Sequence, residues 1–299
     1  MSSLLKQTLQ ANRPNLSEKS IKAYTSTLKS LYKRVYPDDI KIDINKFSND
    51  QESFLNHLKN IEFNKRKSIL SALVVICGDN DCDAYRQLMN KDISNYNDQE
   101  LNQEKSETQK ANWVTQEDVS KVFHFYKAEA DKLFKLKELT AGQFQTLQNY
   151  IILCLLSGQE GFPPRRALDY TEMKIRNYEK LIDNIFNGKE FIFNKYKTVK
   201  TYQSQEFVVP KMLCLILKKW VKINQNDYLL VDRKGEKLTP VTLNQRLNKI
   251  FGGKRVGVNI LRHSYLTENT KSVTDLREIY ERASEMGHSP LQALKYVKK

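Results

Sequence analysis

Apolar side chains recur at helical spacing through much of this chain. Behind Ser17, which suits an N-cap, Ile21, Tyr24, Leu28, Leu31 and Val35 alternate three and four apart, so they form one stripe of a helix that Pro37 ends. Phe54, Leu55 and Leu58 predict a second helix over Gln51 to Asn60. A third is expected from about Asn64 to Cys77, closed by Gly78, and a short fourth from Asp83 to Asn90. Ahead of them, residues 1–14 are polar and read as a frayed end. From Asn95 to Asn112 the pattern lapses: Leu101 is almost the sole sizeable aliphatic, too little apolar surface to offset the entropy of ordering. Residues 95–112 therefore read as a linker between a small helical domain, 1–94, and a larger domain, 113–299.

The larger domain opens with Thr115 and Asp118, an approximate capping pair ahead of Val119 and Phe123. Ala141 to Leu156 is apolar on most sides and predicts a buried central helix. Two glycines and two prolines in the next stretch, Ser157 to Pro164, force a loop with Arg165 and Arg166 at its exit. Phe191 to Phe193 and Glu206 to Pro210 read as two strands around a turn that interleaves Lys195, Lys197 and Lys200 with tyrosines. Helices follow Pro210 and Thr239-Pro240, with a short strand-like run at Tyr228 to Val231 between them. Three more helices are expected around Ile260 to Thr267, from Thr274 to Met286, and after Pro290. The fold class is mainly α with a small antiparallel sheet, in two domains.

Charge narrows the partners. Lys and Arg number 49 against 35 Asp and Glu, a net +14. Such an excess points to a polyanion, and nucleic acid suits it better than a membrane surface, since no basic amphipathic anchor or lipidation signal occurs. No apolar run is long enough to span a bilayer, and the first twelve residues lack a signal-peptide core, so a soluble, intracellular protein is expected. Of the four cysteines none forms a Cys-x-x-Cys pair. Cys77, Cys154 and Cys214 lie in apolar runs and read as small core residues, in a reducing compartment and with no structural metal. Lys65, Arg66 and Lys67 occupy the first turn of a predicted helix, where cations oppose the helix dipole. Either a DNA phosphate offsets that cost or the turn is simply solvated.

The chemistry is concentrated at the end of the chain. Asn259-Ile-Leu-Arg-His-Ser-Tyr-Leu-Thr267 is followed by Met286-Gly-His-Ser289 and by Tyr296. These are residue types suited to cutting a phosphodiester without a metal. The Arg262 fork grips two oxygens in one plane, the His288 imidazole donates to another, and the Tyr296 phenol attacks phosphorus.

Leu-Arg-His-Ser-Tyr-Leu-Thr, then Met-Gly-His-Ser and a Tyr, resembles the C-terminal signature of the tyrosine recombinases, the phage-type integrases. The Lys-, Asn- and Tyr-rich texture with its Pro-Pro-Arg-Arg segment is most similar to integrases of viral and virophage-like mobile elements. The likeness covers the second domain well and the first in general pattern. It implies a core-binding domain followed by a catalytic domain, cleavage of double-stranded DNA through a 3′-phosphotyrosine, no cofactor, no membrane, and a homotetramer on two duplexes.

By the same resemblance Arg166, three residues before Asp169, is the second phosphate clamp, with Arg165 as its neighbouring alternative. Lys197, followed by Thr198, is the general acid, with Lys195 and Lys200 as competitors or DNA contacts. Asn259 stands where the family usually has His or Lys. It can hydrogen-bond a phosphate but cannot shuttle a proton near neutral pH. His263 reads as a buried support rather than a catalyst. Tyr296 follows His288 by eight residues, one fewer than is usual. Two other readings remain: a type IB topoisomerase-like relaxing enzyme, and a DNA-binding recombinase relative without catalysis.

Overall fold

The computed structural model describes residues 2–78, 80, 82–102, 105–270, 276–287 and 289. The chain forms two compact units, Met1–Asn102 and Gln103–Lys299.

The first unit is helical among its described residues: α1 (Ser2–Asn12), α2 (Glu18–Val35), α3 (Lys46–Asn49), α4 (Gln51–Leu58), α5 (Phe63–Cys77) and α6 (Asp83–Leu101). Leu28, Leu31, Phe54, Leu58, Leu70, Leu73 and Ile76 turn the predicted stripes into one core. Three expectations are corrected. Residues 2–12 are not frayed, because Leu5 and Leu9, four apart, bury to 1% and 0% exposure in that core. The Asn12 amide then fastens the helix end by donating to Val75 O and Ile76 O, both at 3.0 Å. Cys77 is not a reduced core thiol: it is joined to Cys82, since Gly78 turns the chain back (φ 62°) and brings the start of α6 to the end of α5. The polar stretch after Asn95 is not irregular, because α6 runs on to Leu101. Fully buried Asp92 anchors that helix, accepting from Arg66 Nε at 2.8 Å and Nη2 at 2.7 Å.

The first element of the second unit is α7 (Glu107–Asn112), so the end of the expected linker is also helical. A capping box between Ser106 and Gln109 starts it. The same device opens α8 (Gln116–Leu133) at Thr115 and α9 (Ala141–Leu156) at Thr140. Helix α9 is the buried centre, as its all-round apolarity requires. Its one deeply buried amide, Gln148, is satisfied in both directions by Val231, with each bond 2.8 Å. After α10 (Ala167–Thr171) come β1 (Met173–Lys174), β2 (Asn184–Phe186), β3 (Glu190–Phe193), α11 (Val199–Tyr202) and β4 (Gln205–Val208).

The sheet order is β1-β2-β3-β4. The expected β3–β4 hairpin is present, with Phe191 opposite Phe207 and Phe193 opposite Gln205. The sheet is nevertheless mixed rather than antiparallel, because β1 pairs with β2 in parallel. Helices α12 (Lys211–Ile223), α13 (Pro240–Ile250), α14 (Val258–Thr270) and α15 (Leu276–Glu285) complete the described unit. The helix expected after Pro290 lies outside the described residues. Among the described residues no helix is long and apolar enough to cross a membrane.

Candidate active site

Three separate segments of the second unit bring cations to one corner of the chain, residues 285–287 at the end of α15. The first is the loop between α9 and α10. Gly158 begins it with φ 77°, and a Cβ there would lie 2.4 Å from two ring carbons of Tyr265. Only glycine permits that approach, so the loop packs directly on α14. The loop ends at Arg165 and Arg166. Arg165 Nε pairs with Asp169 Oδ2 at 2.9 Å, and both side chains are fully buried. Its Nη1 donates to Glu285 O at 2.5 Å and its Nη2 to Gln205 Oε1 at 2.9 Å. Arg166 is half-buried, and its Nη1 donates to Gly287 O at 3.0 Å.

The second segment is α14. It presents Arg262 on its buried side, where Nη2 donates to Met286 O at 3.2 Å. Asn259, one turn earlier, is exposed, and His263 is half-buried. Asp169 sits among the three guanidiniums. Burial raises its carboxyl above the ordinary value, and Arg165, Arg262 and Arg166 oppose that rise.

The third segment is the connection between β3 and β4, braced from below. Asn184, fully buried on β2, accepts from Asn194 N at 2.8 Å and Lys195 N at 2.6 Å. It donates to Lys195 O at 2.9 Å and to Asp169 O at 3.0 Å, which ties the hairpin to α10. Lys195 pairs with Asp183 at 2.8 Å, and Lys174 holds the other carboxylate oxygen at 2.9 Å. The buried Tyr196 ring sends its hydroxyl to Gln203 O at 2.6 Å. Lys197 stands exposed on this brace. Next to it, Thr198 Oγ1 reaches Gly287 O at 3.4 Å.

So Arg165, Arg166, Arg262 and the Lys197–Thr198 turn come together, and the residue following their meeting point in sequence is His288. His288 and Tyr296 themselves lie outside the described residues. Lys200 lies in α11. Lys195, a competitor for Lys197, is held by Asp183. In the first unit Lys65 is exposed, Arg66 is engaged by Asp92, and Lys67 lies over the Tyr96 ring, 2.9 Å from its centroid. Sequence reasoning missed Gln205, Asn184 and Asp183, since a lone polar residue on or beside a short strand carries no signal that distinguishes it from a surface one; Gly287 lies inside the Met-Gly-His-Ser motif but drew no role of its own.

No protein-family model and no curated protein matches the chain. Solved structures do match in fold. Over 99% of its length the chain aligns with a lambda integrase (75-356) dimer bound to a COC′ core site, with TM-score 0.52 and 14% identity over 94% of that chain. It aligns equally far with a lambda integrase tetramer bound to a Holliday junction, with TM-score 0.51 and 13% identity over 76% of that chain. At such identities the likeness is one of fold: a mostly helical chain with a small mixed sheet, arranged as in tyrosine recombinase structures.

Proposed function

We propose that this chain is a site-specific DNA recombinase. It cuts and rejoins double-stranded DNA through a 3′-phosphotyrosine, with four copies working on two duplexes. The observation that carries this reading is the gathering of Arg165, Arg166, Arg262 and the Lys197–Thr198 turn on residues 285–287, directly ahead of His288. The fold likeness supports it: the neighbours are described as integrases bound to DNA, one as a tetramer on a Holliday junction. The viral or mobile-element setting rests on the texture of the sequence.

In this scheme Arg166 and Arg262 grip the non-bridging oxygens, where charge accumulates as phosphorus becomes five-coordinate. Main-chain carbonyls now occupy both guanidiniums. A phosphate oxygen carries net charge and makes the stronger bond, so it displaces them. Lys197, exposed on its braced hairpin, protonates the departing 5′ oxygen. His288 donates to the phosphate, and Tyr296 attacks it as its phenol proton passes to solvent, which matches the proton that Lys197 gives to the 5′ oxygen; the roles of His288 and Tyr296 come from the sequence pattern. The 5′-hydroxyl of a partner duplex then attacks the phosphotyrosine, so the bond energy is conserved and no ATP is needed. Asn259 can donate to an oxygen but moves no proton, which leaves proton transfer to Lys197.

The test uses a pool of nicked duplexes randomised around the nick, incubated with the full chain and resolved on a denaturing gel. Wild type is expected to give a protein–DNA adduct and Tyr296→Phe to bind DNA without one. Salt-dependent binding with no adduct from wild type would instead support the non-catalytic reading. Adducts with no preferred sequence, together with relaxation of supercoiled plasmid, would support the topoisomerase reading.

A further inference from the structure

We infer that the two adjacent arginines divide the work: Arg166 is a phosphate ligand, whereas Arg165 is a positioning residue that locks the 285–287 corner against α10 and β4. This rests on the reading above and assigns roles within that site. Each of the three nitrogens of Arg165 already has a protein acceptor in a different element. Nε has Asp169 on α10, Nη2 has Gln205 on β4, and Nη1 has the carbonyl of Glu285 at the end of α15. One face of the guanidinium is covered as well, with its central carbon 4.1 Å from the centroid of the Phe193 ring. The side chain is 0% exposed, as is that of Arg262, so the assignment rests on the carboxylate and the side-chain amide that Arg165 holds and not on burial alone. To turn its fork toward a phosphate it would have to give up Gln205 and the Glu285 carbonyl and strain its pairing with the fully buried Asp169 carboxylate.

The corner itself is shaped to receive it. Gly287 has φ 68°, and a Cβ there would stand 3.0 Å from Arg165 Nη2. The planar fork therefore acts as a three-way joint, and the backbone it holds is the backbone that leads into His288. Arg166, one residue on, keeps part of its surface open to solvent and meets the corner through Gly287 O. A lysine cannot replace Arg165, since one ammonium cannot serve three acceptors that lie in the plane of a guanidinium.

Two measurements test the assignment. The first is the cleavage rate on a duplex recovered from the nicked pool, made with either a phosphate or a methylphosphonate at the cut position. The methyl group removes the charge that a phosphate-binding guanidinium neutralises, so loss of such a guanidinium is tolerated there. Arg166→Ala is expected to lose at least a hundredfold on phosphate and to regain most of it on methylphosphonate. Arg165→Ala and Arg165→Lys should lose activity on both, and Gln205→Ala should lose about tenfold on both. Recovery of the Arg165 variants on methylphosphonate, or an unchanged rate in Gln205→Ala, would overturn the division.

The second measurement is amide hydrogen exchange at Met286 and Gly287, whose N–H groups bond to Arg282 O and Ser284 O. It needs no cleavage activity. Arg165→Lys should accelerate exchange at both amides at least tenfold and Arg166→Lys should not; equal rates in Arg165→Lys and wild type would sink the proposal. An absence of any wild-type adduct would count against the recombinase reading, whereas these exchange rates would still decide whether Arg165 holds the corner.

Discussion

Asn184→Ala removes one small side chain and should loosen the hairpin that carries Lys197. The buried amide makes four hydrogen bonds, two as donor and two as acceptor. Alanine leaves the Asp169 carbonyl without that donor in a fully buried position, a vacancy costing about 1–3 kcal/mol. The other three bonds are partly buried, so water can replace them in part, and each contributes about 0.5–1 kcal/mol net. The sum is a loss of about 2.5–6 kcal/mol in the second unit. Urea unfolding followed by tryptophan fluorescence reads that unit selectively, because both tryptophans, Trp113 and Trp220, lie beyond Asn102. The slope with urea should stay constant while the midpoint falls. A loss below about 1 kcal/mol would refute the reasoning, since it would mean that all four partners find replacements on their own.

Four further outcomes follow from the two units. Burial pushes the Asp183 carboxyl up, but the Glu179 N–H and the Lys195 and Lys174 ammoniums outweigh it and hold it well below the usual range. Its contribution is thus present at neutral pH and lost as acid titrates through and below the ordinary carboxylate range. Asp183→Asn should cost about 1–3 kcal/mol at pH 7, discounted because both lysines are partly exposed, and the gap to wild type should close below about pH 4 in paired urea titrations. Gly158→Ala combines a left-handed backbone with a Cβ 2.4 Å from the Tyr265 ring, and should destabilise the second unit by at least about 2 kcal/mol in the same urea assay. In the first unit, Arg66→Met strands buried Asp92 and should cost about 3–5 kcal/mol by calorimetry. Lys65→Ala should leave stability unchanged and, if that lysine meets a phosphate, lower the salt slope of DNA binding by about 0.9.

Much of the architecture was legible because burial imposes period. Helices α2, α9, α12 and α13 are written in their apolar spacing, and the β3–β4 hairpin in two short apolar runs about a polar turn. What stayed hidden has physical reasons. Helix α1 buries two leucines, too few to establish a period, and β1 and β2 span two and three residues. The polar end of α6 is helical because extending a helix already nucleated costs little, and the Arg66–Asp92 pair holds its middle. The Cys77–Cys82 bond follows from a turn at Gly78 rather than from a recognisable spacing.

In the site, Arg166 and Arg262 stood out through their motifs, although the spacing to Asp169 only favoured Arg166 and left Arg165 as its alternative. Burial separates them: one lies inside a cage of acceptors and the other at its edge. Arg66 shows the converse difficulty. It looked like part of a basic turn facing DNA, yet its guanidinium is held by a carboxylate from the next helix, a contact visible only once α5 and α6 pack together.

The proposed reaction requires one phenol near the end of the chain to attack a phosphate held by guanidiniums from distant segments. The most direct test is to isolate a covalent complex from the nicked pool, digest protein and DNA, and locate the modified residue by mass spectrometry. A nucleotide joined through its 3′-phosphate to Tyr296 is expected. A complex attached to any other side chain would contradict the proposal.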